Sequence, residues 1–566
     1  MQSSQNETLT TVIERSAKRY SDCLALAIVG EKPLTYGEFY RKIMEVSELL
    51  RKTGVSAGDK VVILSESKPQ WGIAYFAILN LRAIVVPILP DFHPNQIHHI
   101  IRHSKCKCIF VSETLYDKLT ERKTDIELAT ILIECFAVVP ANSSANDLKK
   151  LIKEENEKKE GQKETASSLA FDKSKSNTAH PDDIACILYT SGTSGRSKGV
   201  MLSHKNLIAN ASFTRQIVEV NERDRFLSIL PLAHTYECTV GFLLPLMSGS
   251  TIYYLPKPPT ARVLLPALAE VKPTNMLSIP LVIEKLYRLK ILPQLTDHAF
   301  KRKMYKFAFI RRQLHRLVGS KLKRMFGGEL KLFGIGGASL SPDVEKFLRE
   351  ANFPYAIGYG ATETSPLIAA AGPGIVKYRS TGPAFKGVEL RIANPDPETG
   401  EGEIQVKSES VMKGYYQDEE GTKAVFTEDG WYKTGDLGVL DEDKFLYIKG
   451  RLKNMIVGPS GENIYPEEIE YYFYENDNVV EALVYESDGQ LVVRVYPDYE
   501  KIDEECSGKS MSESDMKSHI EKALTNLRHH VNANVPKYCR IKKIIEQPDP
   551  FEKTPTKKIK RYLYTE

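Results

Sequence analysis

The amino-acid sequence predicts an α/β protein. A large N-terminal domain of doubly wound sheets, residues 1–450, carries a β-rich subdomain at about 380–450 and is followed by a small α+β domain at 451–566. Three observations lead there. Apolar runs rich in β-branched residues alternate with helical patterns as far as about residue 360. Beyond about 380 the texture changes to short alternating strands broken by turn-forming stretches, and a mixed segment of roughly 110 residues remains after Arg451. With 566 residues, the chain also exceeds what a single hydrophobic core usually serves.

DKVVILSE (59–66), WGIAYFAILNLRA (71–83) and IVVPIL (84–89) read as strand, helix and strand, a βαβ unit that implies a parallel sheet. QIHHIIRHSKCKCIFVS continues it with an amphipathic helix feeding a short strand that ends near Val111. From Glu154 to about Asp182 the chain loses apolar periodicity and reads as a linker or exposed loop. The strand IACILYT follows and exits into a glycine-bearing loop. Further strands are expected near 225, 250, 275, 330 and 355, and NPDPETGEGE and TEDGWYKTGD supply the turns of the β-rich subdomain.

Composition excludes several classes. With 42% hydrophobic and 27% charged residues, the chain is neither disordered nor membrane-spanning, and no window approaches 18 uninterrupted apolar residues. Lys and Arg number 77 against 73 Asp and Glu, a net charge of +4 that is too even to argue for a nucleic-acid partner. The first residues lack a cationic segment followed by an apolar one, so a cytoplasmic location is expected. The eight cysteines, Cys106 and Cys108 among them, lack the paired spacing of a zinc site and read as reduced thiols.

The segment YTSGTSGRSKGVMLSH, residues 189–204, is the strongest local signal. Gly192 and Gly195 permit close backbone approach, Thr190, Ser191, Thr193 and Ser194 offer hydroxyl donors around a phosphate-sized concavity, and Lys198 adds a point charge. The spacing departs from the GxxxxGK[ST] loop, since Gly192 lies six positions before Lys198 and Gly199 follows it, which disfavours a P-loop NTPase. Two companions support a nucleotide reaction. YGATETSP, 359–366, pairs the Thr362 hydroxyl with the Glu363 carboxylate, a ligand for a hard cation such as Mg²⁺. YKTGDLG, 432–438, sets Asp436 after a tight glycine turn, where a carboxylate accepts ribose hydroxyls.

A basic stretch stands apart. Between Lys285 and Lys331, cations alternate with Leu, Tyr, Phe, Ile and Met, and Asp297 and Glu329 are nearly the only acids. Two readings stand side by side: a basic amphipathic helix pair resting on an anionic membrane, or a solvated face of helices packed on the main sheet.

The ordered motifs resemble those of the adenylate-forming superfamily of acyl-CoA synthetases, luciferases and peptide-synthetase adenylation domains. The 189–199 stretch is similar to that family's YTSGTTGxPKG signature, with Ser194 for the second Thr and Ser197 for Pro; YGATE, YKTGD, GRLKNMI (450–456) and TPTKKIKR (554–561) follow in the family's order. The resemblance implies that a carboxylate attacks the α-phosphate of ATP, releases pyrophosphate and becomes an acyl-adenylate from which AMP leaves. It implies that the 190–198 loop holds the β- and γ-phosphates, that Thr362 contacts phosphate and that Glu363 helps hold Mg²⁺. Tyr359, followed by Gly360, would stack on adenine beside the Gly336–Gly337–Ala338 turn, and Asp436 and Arg451 would bind ribose.

Lys558 matches the family's C-terminal catalytic lysine, although Lys557 stands where a glycine usually precedes it. Lys453 falls at the family's hinge, about which the small domain is expected to rotate, and Gly461 sits in the loop expected to line the thiol tunnel. GENIYPEEIE and PFEKTPTKKIKRY look most like bacterial long-chain fatty acyl-CoA synthetases.

LPLAHTYECTVGFLLPLMSGSTIYYLP, 230–256, is apolar and rich in small residues; by resemblance it borders the acyl pocket with His234 at the carboxylate end, and it reads equally as a buried helix and strand. The expected activity is therefore a long-chain fatty acid–CoA ligase using ATP, Mg²⁺ and CoA. Acyl carrier protein as acceptor, or an enzyme that stops at the acyl-adenylate, are alternatives on the same scaffold. A binding protein that senses nucleotide or acyl-CoA without turnover is the alternative from another class. The oligomeric state stays open, a homodimer among the options.

Overall fold

The computed structural model describes residues 7–120, 128–140, 143–161, 179–191, 197–458, 462–474, 476, 478–506, 513–554 and 558–565. In chain order the strands are β1 Leu24–Ile28, β2 Leu34–Thr35, β3 Lys60–Leu64, β4 Ile84–Ile88, β5 Cys108–Val111, β6 Ala129–Leu132, β7 Ala137–Val138, β8 Ile184–Ser191, β9 Ser197–Ser203, β10 Arg225–Ser228, β11 Thr251–Tyr254, β12 Asn275–Ser278 and β13 Leu332–Ile335. They continue with β14 Tyr355–Gly360, β15 Leu367–Ala370, β16 Val388–Ala393, β17 Gly402–Ser408, β18 Gly414–Tyr415, β19 Tyr432–Leu440, β20 Leu446–Arg451, β21 Ile456–Val457, β22 Asn463–Ile464, β23 Val479–Ser487, β24 Gln490–Pro497 and β25 Lys543–Glu546.

Two eight-stranded sheets result, in the orders β15-β14-β13-β12-β10-β11-β1-β2 and β18-β9-β8-β4-β3-β5-β6-β7. Each is parallel through its centre and antiparallel at its edges, as at β14–β15 and β8–β9. The helix Pro69–Asn80 is buried from Trp71 through Leu79 and touches β1, β3 and β4. A helix packed on both sheets has no wet face, which is why WGIAYFAILN shows no polar stripe. Gly72 admits the close approach of Phe242, whose ring would lie 2.9 Å from an added Cβ.

The chain divides into two compact units. One comprises Met1–Leu390, Val406–Tyr432 and Glu442–Leu446; the other comprises Arg391–Gln405, Lys433–Asp441 and Tyr447–Glu566. Residues of the expected β-rich subdomain thus fall in both. The first unit holds both large sheets, with separate apolar cores around Val62, Val86 and Ile109 and around Met276, Phe333 and Phe347. In the second, the sheet β23-β24-β25 packs its Val484, Val493 and Val495 against Phe473 and Leu524 of two helices, Pro466–Tyr474 and Glu513–Asn534. The strands β16-β17-β19-β20 form a four-stranded sheet in that order.

Two expectations need correction. Residues 154–161 are not linker but the end of a helix, Ala145–Gly161, in which Lys150–Glu154 and Lys153–Glu157 pair one turn apart. Local ion pairs support a helix that has little apolar periodicity. The basic stretch is not a simple helix pair: it forms segments at Pro280–Leu286, Tyr287–Ile291, Leu292–Thr296, Ala299–Tyr305 and Ala308–Met325. Pro293 opens the third segment, and extended backbone at His298 and Phe307 separates the last ones. Inner residues Tyr287, Ile291, Leu295 and Leu322 join the core around β13.

Candidate functional site

In the first unit the predicted residues gather at the carboxyl ends of strands, where open α/β sheets present their ligand sites. β8 and β9 form a hairpin whose register sets Thr190 opposite Lys198 and Ser191 opposite Ser197. Gly192, Thr193, Ser194 and Gly195 lie outside the described residues, so the structure specifies the root of the phosphate loop rather than its tip. The Lys198 ammonium sits 3.7 Å from Asp418 Oδ2 and 4.5 Å from the centre of the Tyr415 ring. A carboxylate and an aromatic face both attract a cation, and together they fix where the ammonium sits.

Tyr415 is the connection that the motifs did not announce. Its hydroxyl donates to Glu363 Oε1 at 3.0 Å, so Lys198, Tyr415 and Glu363 form one contiguous row. Burial, reinforced by the adjoining Glu363 carboxylate, holds the Tyr415 phenol well above its ordinary value, so it stays a donor at neutral pH. Glu363 and Thr362 are half-buried in a short 3₁₀ turn, Thr362–Thr364, between β14 and β15. Gly360 ends β14 where a Cβ would meet the Pro366 carbonyl oxygen at 1.9 Å; only glycine admits that approach.

The helix His204–Thr214 holds this turn. Ser203 caps it, and the side chain of Asn206 answers the cap while donating to the carbonyls of Glu409 and Val411 at 2.7 and 2.9 Å. One turn later the fully buried Asn210 donates to the carbonyls of Thr364 and Leu367 and accepts the Leu367 N–H at 3.2 Å. The Met412 N–H donates to the Glu363 carbonyl at 2.8 Å. Two asparagines four residues apart on one helix face thus tie the Glu363 turn and the segment leading into the Tyr415 strand to one support. The serine cap was legible in the sequence; the distant backbone partners were not.

Tyr359 lies half-buried on β14, and the neighbouring β13 ends in the Gly336–Gly337 turn, where Gly337 has φ of +87°. Tyr236 packs there, its hydroxyl 2.7 Å from where a Gly334 Cβ would stand. His234 precedes it, half-buried, with Nδ1 accepting the Tyr236 N–H at 3.2 Å, which assigns the ring proton of the neutral form to Nε2. The apolar stretch behind it folds as a π-helix, Glu237–Leu243, running into the helix Leu244–Ser248, with every residue from Thr235 to Leu246 buried. Glu237 is buried against Gly241, and burial pushes its carboxyl up to about 8, only partly offset by Ser228.

In the second unit Asp436 and Arg451 come together: Arg451 Nε donates to Asp436 Oδ1 at 2.8 Å. Gly435, at φ +69°, makes the turn before Asp436, and its carbonyl accepts the Leu452 N–H at 2.9 Å. Lys453 is exposed in the turn that follows, and Gly461 lies outside the described residues. Lys558 is exposed and shares two bonds with Thr554, whose N–H donates to the Lys558 carbonyl at 2.7 Å and whose hydroxyl accepts the Lys558 N–H at 3.2 Å. Arg561, three residues on, anchors this tail through both carboxylate oxygens of the buried Glu470, at 2.5 and 2.6 Å. Burial raises the Glu470 carboxyl while the guanidinium pulls against it.

Among the described residues, no cluster of three or more His, Cys, Asp or Glu side chains forms a ready-made metal cage. A lone carboxylate such as Glu363 fits a Mg²⁺ ion whose other oxygens come from phosphate and water.

A family model described as AMP-binding enzyme matches residues 13–416. The long-chain-fatty-acid–CoA ligase FadD15 of Mycobacterium bovis is 30% identical across 94% of this chain and 90% of its own length. A chloroplastic long-chain-fatty-acid–[acyl-carrier-protein] ligase, AEE15 of Arabidopsis thaliana, is 26% identical over 90% of this chain and 79% of its own. Among solved structures, the O-succinylbenzoate coenzyme A synthetase MenE of Bacillus subtilis, in complex with ATP and magnesium ion, superimposes with a TM-score of 0.72 at 21% identity, covering 98% of this chain and 99% of its own. With its motifs in order and a family model matched over most of its length, the chain belongs to the AMP-binding enzyme family of adenylate-forming ligases.

Proposed function

We propose that the protein activates a long-chain fatty acid with ATP and transfers the acyl group to CoA. The observation that carries this reading is the 30% identity, over nearly the whole of both chains, with a long-chain-fatty-acid–CoA ligase. The buried apolar stretch from Thr235 to Leu246, beginning beside His234, supports it, because an alkyl chain gains about 0.8 kcal/mol for each CH₂ taken from water.

In the first step the acid's carboxylate attacks the α-phosphorus of ATP, the bond to the bridging oxygen breaks and pyrophosphate leaves. Lys198 and the 190–195 loop bind the β- and γ-phosphates, Thr362 donates to phosphate and Glu363 holds Mg²⁺, which neutralises phosphate charge when bound. Tyr359 stacks on adenine beside Gly337, with Gly360 giving the backbone room, and Asp436 and Arg451 bind ribose. Lys558 bridges carboxylate and α-phosphate oxygens. Rotation about Lys453 then withdraws Lys558 and brings Gly461 to the thiol, whose sulfur attacks the acyl carbon and expels AMP.

Purified protein given palmitate, ATP, Mg²⁺ and CoA is expected to release AMP and pyrophosphate and to form the thioester. Faster turnover of acetate or benzoate would overturn the chain-length assignment. The relative that loads acyl carrier protein supports a second reading, in which the phosphopantetheine thiol replaces CoA; exchanging the two acceptors in the same assay separates them.

A further inference from the structure

The helix Ala308–Met325 packs one face inward and leaves the other uncovered, and the short helix Ala299–Tyr305 before it buries none of its residues. On the inner side His315, Gly319 and Leu322 are buried, and Gly319 lies so close to the end of the Pro342–Glu350 helix that a Cβ would stand 2.5 Å from the Ala351 carbonyl oxygen. Arg311 grips Glu350 through Nε and Nη2 at 3.0 and 2.8 Å. That side is satisfied.

The outer side is different in kind. Phe300, Phe307 and Phe309 are 73%, 56% and 75% exposed, and among the described residues no other phenylalanine is comparably uncovered. Leu289 and Leu317 are exposed in the same stretch. Spacing explains part of the grouping: Phe300 and Lys303 stand at i and i+3 on the first helix, Phe307 is the extended residue that leads into the second, and Phe309, Gln313, Arg316, Ser320 and Arg324 follow the face opposite His315, Gly319 and Leu322. Arg302, Lys303, Lys306, Arg316, Lys321 and Arg324 form no ion pair with a described residue. The only acids between 285 and 331 are engaged, Asp297 with Lys301 at 2.9 Å and Glu329 with Arg225 at 2.5 Å.

We infer that this face docks on an anionic lipid bilayer, its phenylalanine rings entering the headgroup region while the surrounding lysines and arginines meet lipid phosphates. Two facts favour lipid over a protein partner. Protein interfaces are depleted in lysine at their centres, whereas lysines here sit among the rings. Long cationic side chains can extend away from buried apolar groups toward charged headgroups, and Phe and Leu on a Lys/Arg-rich helix are the composition of interfacial helices. The attraction is electrostatic at range and apolar at contact, so it weakens with salt as the Debye length, about 8 Å at physiological ionic strength, shortens. Docking needs no turnover, so this inference stands or falls separately from the proposed substrate.

The test is co-flotation of the whole protein with vesicles of phosphatidylcholine alone or mixed with phosphatidylglycerol. Binding is expected to the mixed vesicles, to fall with added salt, and to drop about tenfold or more in F300S/F307S/F309S and in R302Q/K303Q/K306Q. Acyl-adenylate formation from dissolved acid should remain unchanged in both variants, which certifies their fold. No binding to the mixed vesicles, or binding that both folded variants retain in full, would overturn the inference, and a soluble acidic protein captured in its place would assign the face to that partner.

Discussion

The Tyr415 hydroxyl donates to Glu363 Oε1 at 3.0 Å, joining an edge strand of one large sheet to the turn that follows β14 of the other. The bond orients the carboxylate proposed for Mg²⁺ while the same ring carries Lys198 on its face. Y415F keeps the ring and loses the donor. It is expected to raise the Mg²⁺ concentration needed for pyrophosphate release by about tenfold, the scale of one hydrogen bond to a charged group, with little change in Tm. An unchanged Mg²⁺ dependence would remove Tyr415 from the site.

Asn210 satisfies three backbone groups of the Glu363 turn from a fully buried position. N210L fills similar volume but strands those groups, at about 1–3 kcal/mol apiece before the backbone relaxes. Calorimetry should find the first unit melting several degrees lower, and activity at low temperature should fall as the turn loosens.

Lys558 is an exposed side chain, so K558A should fold normally and melt with the wild type. Adenylate formation is expected to fall at least about a hundredfold, the cost of a missing charge that acts on the transition state. Thioester formation from supplied acyl-adenylate should continue at a rate near that of wild type. Equal adenylation by K558A would sink the role assigned to it.

Arg561 shows the opposite balance, since it meets a buried carboxylate. R561A leaves Glu470 unpaired and is expected to destabilise the second unit by about 3–5 kcal/mol. Adding E470Q removes the stranded charge and should recover part of the loss, a coupling that a double-mutant cycle measures.

Glu237 makes stability depend on pH. Its carboxyl is held up at about 8 in the folded chain, against an ordinary value of 4.5, so the folded state keeps a proton that the unfolded state releases. Below pH 4.5 neither state is ionised and the group is neutral to stability; between 4.5 and 8 stability is lost progressively as pH rises. E237Q should flatten that slope and, at pH 8, melt higher than wild type by roughly 2 °C or more.

Much of the molecule was legible before its coordinates. Strands at 60–64, 84–88 and 184–191 lie where β-branched runs predicted them, because a strand buried on both faces has little choice but an apolar run. The helix through 154–161 was missed since its stability comes from i,i+4 ion pairs rather than an apolar stripe. The π-helix at 237–243 carries no local signal at all.

The candidate site divides the same way. Local order along the chain announced Lys198, Thr362, Glu363 and Asp436, since each sits in a motif whose neighbours are glycines, hydroxyls or charges, whereas Lys558 was reached only through the family resemblance. Nothing local marked Tyr415, Asn206 or Asn210, whose partners stand 52, 203 and 154 residues away. By itself the sequence determined the α/β class, the setting of the phosphate motif where a strand exits into a loop, and the types of group available for nucleotide chemistry. Only tertiary structure decided which groups share a hydrogen bond, which acids lie buried and which phenylalanines face outward. Those outcomes depend on contacts closed across long loops, and periodicity within one segment carries no record of them.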